Sequence, residues 1–119
     1  MSITYEPIGT IHSPFSRIED MPIQPAGALG VRGTVQVFAE FAEGLKDLDG
    51  FSHIVLLYHF HRAGQARLVV VPFLDKKEHG VFATRAPTRP NPIGISEVEL
   101  LRVEGPVLQI QNVDVLDGT

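Results

Sequence analysis

Two arginines four residues apart lie in a proline-rich segment, residues 83–96, which reads ATRAPTRPNPIGIS. Ala86, Arg89 and Asn91 each precede a proline, and that position disfavours helical backbone angles, so the segment is expected to be extended and stiff. Arg85 and Arg89 could each hold a carboxylate or phosphate through a two-pronged guanidinium. Asn91 offers donors and an acceptor to a base edge or an amide. A proline-rich connector with solvated arginines would have the same spacing.

Three histidines alternate along residues 52–61, SHIVLLYHFH. Side chains two apart on a strand share a face, so His53, His59 and His61 are expected on one side. A His-x-His pair can bind a metal, but no carboxylate on this strand completes a ligand set. We therefore predict no metal site, and expect these histidines to face a ligand or to pack within the fold.

Two aspartates, Asp114 and Asp117, lie near the end of the sequence, in NVDVLDGT. Asp-Gly is common in turns, which is one interpretation; the other is that an aspartate binds a ribose diol or a ligand amine. Glu97 and Glu99 alternate outward and are interpreted as solvated surface. The glycines at every third position from 27 to 33 lack the strand and helix that a dinucleotide-binding loop requires.

The elements that must position these residues are mostly strands. Apolar patterning predicts strands at 3–11, 34–38, 52–61, 67–73, 81–84, 93–103 and 107–115, the last two joined by a turn at 104–106. One short helix is predicted over 39–49, and residues 13–33 read as a long loop. Strands that follow one another directly predict a mainly β fold, a small antiparallel or mixed barrel in one domain over 1–119.

Composition limits the classes of protein further. The 119 residues include no cysteine, which excludes disulfides and thiolate catalysis. No apolar run reaches the roughly 20 residues of a membrane span, and the N-terminus does not resemble a signal peptide, so a cytoplasmic protein is expected. The net charge of −4 does not favour a broad nucleic-acid-binding surface. Any RNA contact is expected through a few arginines or a surface that two subunits build.

Taken together, the segments IGTIHSPF, PIQPAG, LKDLDGFSHIVLLYHFH, GVFATRAPTRPNPIGIS and DVLDGT resemble the TsaA-like family of S-adenosylmethionine-dependent tRNA methyltransferases. Members of that family methylate N6 of threonylcarbamoyladenosine at position 37, in the anticodon loop of tRNA. The resemblance implies a small β-barrel that binds S-adenosylmethionine without a dinucleotide-binding motif, and a homodimer.

The resemblance also assigns residues. It implies cofactor contacts at Gln24, Pro25, Ala26, His61, Arg62, Arg85, Ile95, Asn112, Val113 and Asp114. In this scheme Arg85 holds the carboxylate of the cofactor, Asp114 the ribose hydroxyls, and Ile95 covers the adenine.

Substrate and catalytic residues are proposed from the chemistry of the reaction and the rigidity of the proline-rich segment. Arg89 and Asn91 are expected to face the substrate base or its threonylcarbamoyl carboxylate. The proton that leaves N6 needs an acceptor, and the candidates are His59, His61 and Asp117, with His59 and Asp117 preferred.

Two other classes of function compete with the methyltransferase. One is a non-enzymatic barrel that binds S-adenosylmethionine or another small ligand as a sensor or partner protein. The other is a nucleic-acid binder of the OB type, which needs exposed aromatic residues in a basic groove. Two tyrosines, no tryptophan and the negative net charge disfavour the OB-type binder.

Overall fold

The computed structural model describes residues 1–17, 19, 21, 25–72 and 76–119, and this part of the chain is mainly β. It contains seven strands: β1 (Gly9–His12), β2 (Arg32–Val37), β3 (His53–His59), β4 (Val69–Val70), β5 (His79–Gly80), β6 (Ile93–Glu104) and β7 (Val107–Gln111). Five form a curled half-barrel sheet in the order β1-β2-β7-β6-β3, and β4 pairs with β5. The predicted fold class is confirmed.

The chain divides into two compact units, residues 1–54 with 97–119, and residues 55–96. We call them the sheet unit and the loop unit. Strands β3 and β6 each begin in one unit and continue into the other along the chain. The assignment of a single domain to residues 1–119 stays a prediction. No helix among the described residues is long and apolar enough to cross a membrane.

Alternating side chains of β1, β2 and β7 build the core of the sheet unit. Ile11 lies opposite Val35, and Val35 lies opposite Leu108, so one row of buried side chains crosses three antiparallel strands. Ile110 and Val98 are fully buried, at 0% exposure. Burial of a side chain of this size contributes roughly 1.5–3 kcal/mol, so these residues stabilise the sheet.

The hairpin between β6 and β7 agrees with the sequence prediction. Strand β6 ends at Glu104 and β7 begins at Val107, and Gly105 adopts a positive φ of 61°. Glycine takes this backbone conformation without a steric penalty. The predicted turn at 104–106 is therefore confirmed.

The short helix predicted over 39–49 is present as two 3₁₀ segments, Ala39–Leu45 and Leu48–Gly50. Asp47 interrupts them with a left-handed φ of 66°, and 3₁₀ hydrogen bonding is usual in such short pieces. Phe41, Leu45 and Leu48 are half-buried, as their spacing predicts.

Several predicted strand bounds are wrong. Residues 81–84 do not form a strand, because Val81–Ala83 is a 3₁₀ turn. Strand β1 begins only at Gly9, and the described part of 67–73 contains just Val69–Val70 as strand. Strand β5 lies at His79–Gly80, between the two strands predicted at 67–73 and 81–84. Strand β3 has the apolar composition that is typical of a central strand, but it lies at the end of the strand order.

Candidate functional site

The carbonyl of Val81 organises the proline-rich segment. It accepts hydrogen bonds from the backbone N of Thr84 (3.1 Å), from Oγ1 of Thr84 (2.9 Å) and from Nη2 of Arg89 (3.1 Å). Nη1 of Arg89 also donates to the carbonyl of Thr84, at 3.2 Å. Oγ1 of Thr84 in turn accepts from the backbone N of Ala86. The segment is therefore held by side-chain hydrogen bonds as well as by its prolines.

Arg85 follows this turn directly, and its Nη2 donates to the carbonyl of Ile95 at 2.6 Å. Both side chains are exposed. A guanidinium carries five N–H donors in a planar fork, so one hydrogen bond to a carbonyl leaves other donors for an anion. The structure thus brings together two residues that the sequence analysis assigned to the cofactor.

Gly94 lets the backbone beside Ile95 lie against an aromatic pair. A Cβ atom at Gly94 would lie 2.5 Å from Cε2 of Tyr58 and 2.8 Å from Cζ of Phe60. The two rings meet edge to face at 5.4 Å, and the hydroxyl of Tyr58 hydrogen-bonds Oγ of Ser96 at 2.9 Å. Sequence analysis did not single out this support, although a glycine inside a strand often marks close backbone approach.

The histidines of β3 lie on the exposed face of that strand. His53 and His59 alternate there with Val55 and Leu57, which confirms the predicted shared face; β3 ends at His59, so His61 lies beyond it. Nδ1 of His53 hydrogen-bonds Oγ of Ser52 at 2.9 Å. Within the described residues, no three His, Cys, Asp or Glu side chains are grouped to hold a metal ion.

Asn112 joins two segments of the sheet unit. Its φ is 68°, and its side-chain Oδ1 accepts a hydrogen bond from the backbone N of Gly30 at 2.8 Å. The backbone N–H groups of Asn112 and Val113 both donate to the carbonyl of Val31. Asn112 therefore ties the end of β7 to the chain that follows the 3₁₀ turn Pro25–Ala28.

The neighbours of Asn112 differ in what they can offer a ligand. Val113 is fully buried, at 0% exposure, so only its backbone could contact a ligand. Asp114 is half-buried. Pro25 and Ala26 lie in the 3₁₀ turn, and Gln24 lies outside the described residues.

Asp117 belongs to a cluster at the end of β1 that sequence analysis did not find. Oδ1 of Asp117 accepts from the backbone N of Ser13 at 3.1 Å and lies 3.3 Å from Nδ1 of His12. Oγ of Ser13 donates to the carbonyl of Val115 at 2.5 Å. The His12 and Asp117 side chains are about half exposed, at 48% and 45%, so the pair is within reach of solvent.

The predicted site residues thus form two groups, one in each unit. The loop unit carries His59, His61, Arg62, Arg85, Arg89, Asn91 and Ile95, and the sheet unit carries Pro25, Ala26, Asn112, Val113, Asp114 and Asp117. Sequence analysis missed His12, Tyr58, Gly94 and Ser96. An open apolar groove in the sheet unit contains none of the predicted residues; its lining is Ile8, Val37, Glu40, Phe41, Glu43, Gly44 and Leu45.

These features define a mainly β chain that displays guanidinium groups on loops of the loop unit and amide and carboxylate groups beyond β7 in the sheet unit, and loops at strand ends are a common place for ligand-binding residues. Residues 10–119 match the family model described as the tRNA-methyltransferase O N-terminal domain, and the chain belongs to this family.

Curated relatives include a probable S-adenosyl-L-methionine-binding protein of Pyrococcus abyssi, 58% identical over 119 residues, which are 100% of this chain and 65% of the relative. An S-adenosyl-L-methionine-binding protein of Archaeoglobus fulgidus is 41% identical over 96% of this chain and 81% of its own length. A tRNA (adenine(37)-N6)-methyltransferase of Escherichia coli is 36% identical over 99% of this chain and 54% of its own length.

Among solved structures, TrmO from Pseudomonas aeruginosa superimposes with a TM-score of 0.80 and 39% sequence identity, over 99% of this chain and 52% of that protein. The chain therefore spans about half the length of this solved relative, and less than two thirds of the Pyrococcus relative.

Proposed function

We propose that this chain is an S-adenosylmethionine-dependent methyltransferase that acts on N6 of the adenosine at position 37 of tRNA. The observation that carries the proposal is the match of residues 10–119 to the tRNA-methyltransferase O family. Relatives that are 36–41% identical to the chain are named either as S-adenosyl-L-methionine-binding proteins or as tRNA (adenine(37)-N6)-methyltransferases. At the finer level, the proposed substrate is threonylcarbamoyladenosine in the anticodon loop, and the proposed location is the cytoplasm.

The chemistry of the loop unit fits the amino-acid end of S-adenosylmethionine. Arg85 is exposed and uses one donor on the Ile95 carbonyl, so its planar fork can still hold a carboxylate in two-pronged fashion. His61 and Arg62, just beyond β3, are proposed as further contacts.

Asp114 is the proposed contact for the ribose of S-adenosylmethionine. Asp114 supplies a half-buried carboxylate that can accept hydrogen bonds from ribose hydroxyls. Backbone of Pro25, Ala26 and Val113, together with Gln24 and Asn112, is proposed to complete the contacts. In this proposal Ile95 covers the adenine with its exposed side chain, which is 56% accessible.

When bound, S-adenosylmethionine would supply a methyl group from its sulfonium; transfer to N6 would break the C–S bond, leave a neutral thioether and release one proton from N6. The protein contributes alignment of the nitrogen, methyl carbon and sulfur, the usual source of rate in such displacements. Asp117 and His59 are the proposed proton acceptors, and both are exposed enough to meet a large substrate. Asn91, also exposed, is proposed to contact the substrate base.

We further propose that the active form is a homodimer joined through the loop unit. Large apolar side chains are exposed there at 49–78%: Val55, Leu57, Leu68, Val69, Val71, Phe82, Ile93 and Ile95. Residues such as these favour a subunit interface over solvent. A second copy is the proposed occupant because the family resemblance implies dimers. Analytical ultracentrifugation of Leu57→Glu should show monomer where the parent is dimeric. A parent chain that is monomeric at tens of micromolar would refute this part.

A methylation assay tests the main proposal. Purified chain, S-adenosylmethionine and tRNA from cells lacking this methyl group should yield N6-methylated position 37, detected by nucleoside mass spectrometry. Parallel tRNA lacking the threonylcarbamoyl group tests the finer substrate, and an Arg85→Gln variant should lose cofactor binding and turnover together. Calorimetric binding of S-adenosylmethionine without any turnover would instead favour the non-enzymatic binding protein, in keeping with the names of the archaeal relatives.

A further inference from the structure

Arg89 and Arg85 have different environments although both lie in the same short segment. Arg89 is half-buried, and two of its guanidinium nitrogens donate to carbonyls within its own loop, those of Val81 and Thr84. Arg85 is exposed and makes one such bond, to the carbonyl of Ile95. From the sequence, Arg89 is expected to contact the substrate, but the hydrogen bonds of the two arginines favour different roles.

We propose that Arg89 is a positioning residue, which sets the conformation of the 81–86 turn and so fixes the direction in which Arg85 presents its guanidinium. The proposal rests on the proposed function insofar as Arg85 holds the carboxylate of the cofactor. It assigns Arg89 a role through Arg85 in place of a direct substrate contact.

The geometry of the turn supports this role. The Val81 carbonyl accepts hydrogen bonds from both Thr84 and Arg89. The Thr84 carbonyl immediately precedes Arg85. Among the hydrogen bonds of this turn, only the one from Arg89 reaches that carbonyl. Rotation of the Thr84–Arg85 peptide would break that bond. A planar fork can span the two carbonyls, whereas the compact ammonium of lysine cannot reproduce this geometry.

The test compares Arg89→Lys with the parent chain and with Arg102→Lys as a control. Lysine keeps the positive charge at position 89 and removes the fork. Arg102 is an exposed arginine of β6 that pairs with Glu104, outside the predicted site. Two thioether ligands separate the possible effects. S-adenosylhomocysteine has an amino-acid end, and 5′-methylthioadenosine lacks it.

We expect Arg89→Lys to weaken the affinity for S-adenosylhomocysteine by about tenfold or more, the scale of a charge-assisted hydrogen bond. The affinity for 5′-methylthioadenosine should be unchanged. Adding Arg85→Gln should weaken S-adenosylhomocysteine no further, because both changes disturb one contact. Equal loss of both ligands would overturn the proposal, and so would unchanged affinity for both with weaker tRNA binding and a smaller dependence of that binding on salt. The last result would indicate that Arg89 contacts the nucleic acid directly.

A second measurement needs no ligand and keeps the inference separate from the proposed function. Hydrogen exchange at the backbone amides of Thr84 and Ala86, which donate within the turn, should be faster in Arg89→Lys and unchanged in Arg102→Lys. If the parent binds neither nucleoside but the amides respond, the proposed function fails and the positioning role of Arg89 in the turn stands. If the amides do not respond, the positioning role fails, whatever the ligands do.

Discussion

Different kinds of interaction hold the sheet unit and the loop unit in their conformations. Ten of the eleven buried hydrophobic residues of the described chain belong to the sheet unit, and Val81 is the eleventh. Each unit exposes eight large apolar side chains among its described residues, but the loop unit buries only Val81 among its described hydrophobic residues and holds its proline-rich segment through hydrogen bonds to backbone carbonyls. Stability in the first unit depends on buried area, and shape in the second on directed contacts around a few residues.

The difference explains where chemistry can be placed. A packed sheet tolerates little change in its interior, so the candidate residues of the sheet unit lie at the end of β7 and in turns. A loop held by a few hydrogen bonds can carry two arginines within five positions and give them separate tasks. Substitutions in each unit can therefore show whether the two units depend on these different kinds of interaction.

The largest expected effect is on the sheet core. Ile110→Ala, at a fully buried position of β7, should lower the free energy of unfolding by about 2–5 kcal/mol. Leu57→Ala, on the exposed face of β3, should change it by less than about 0.5 kcal/mol in the monomer. Urea titrations at protein concentrations too low for dimer formation measure the free energy of unfolding of both variants. Similar losses for the two variants would remove the distinction between the units.

A smaller effect is expected from Gly94→Ala in the loop unit. The added methyl group would lie 2.5 Å from the ring of Tyr58, and such overpacking costs about 1–3 kcal/mol. Gly80→Ala is the matched control, since nothing lies within 4 Å of a Cβ there and the φ of Gly80 is −59°. Melting temperatures of the two variants suffice. If they agree, the aromatic pair does not constrain the backbone beside Ile95.

The two units were also unequally predictable from sequence. The β6–β7 hairpin was predicted because alternating apolar residues flank a Gly-Pro turn, both local signals. Residues 81–84 were misread as a strand because Val, Phe and Thr favour strands. There the local hydrogen bonds of Thr84 and Arg89 to the Val81 carbonyl outweighed propensity.

Other features depended on contacts that a single sequence does not display. The run SHIVLLYHFH is apolar enough to suggest a central strand, yet Val55 and Leu57 are exposed. Hydrophobicity shows that a side chain favours burial, but not what covers it. His12 was missed because its partner, Asp117, is 105 residues away in sequence. Family resemblance predicts Asn112 as a cofactor contact, but its left-handed backbone and its bond to Gly30 are visible only in the fold.

Substitution of Asn112 should separate its backbone role from its side-chain role. Asn112→Gly keeps access to the φ of 68° and loses the bond to Gly30, whereas Asn112→Ala loses the bond and strains the backbone. We expect a cost of about 0.5–1.5 kcal/mol for glycine and about 1–2 kcal/mol more for alanine. Both substitutions should weaken the binding of S-adenosylmethionine, because loss of the bond to Gly30 releases the chain after the Pro25–Ala28 turn. Calorimetry and denaturant unfolding measure the two quantities, and equal stability of the two variants would contradict a backbone role.

The smallest stability effect is expected at the His12–Asp117 pair. A half-exposed pair 3.3 Å apart contributes less than about 1 kcal/mol, so the free energies of unfolding of Asp117→Asn and His12→Gln should each be close to that of the parent.

If Asp117 accepts the proton from N6, however, Asp117→Asn should lower kcat by roughly 10²–10⁴-fold while KM for S-adenosylmethionine stays the same. His12→Gln serves as the comparison, since it alters the pair and keeps the carboxylate. A fall in kcat for His12→Gln as large as that for Asp117→Asn would mean that the two residues act as one unit. Unchanged kcat in Asp117→Asn would leave His59 and His61, both in the loop unit, as the candidates for the proton acceptor, and the chemistry would then depend on the less packed of the two units.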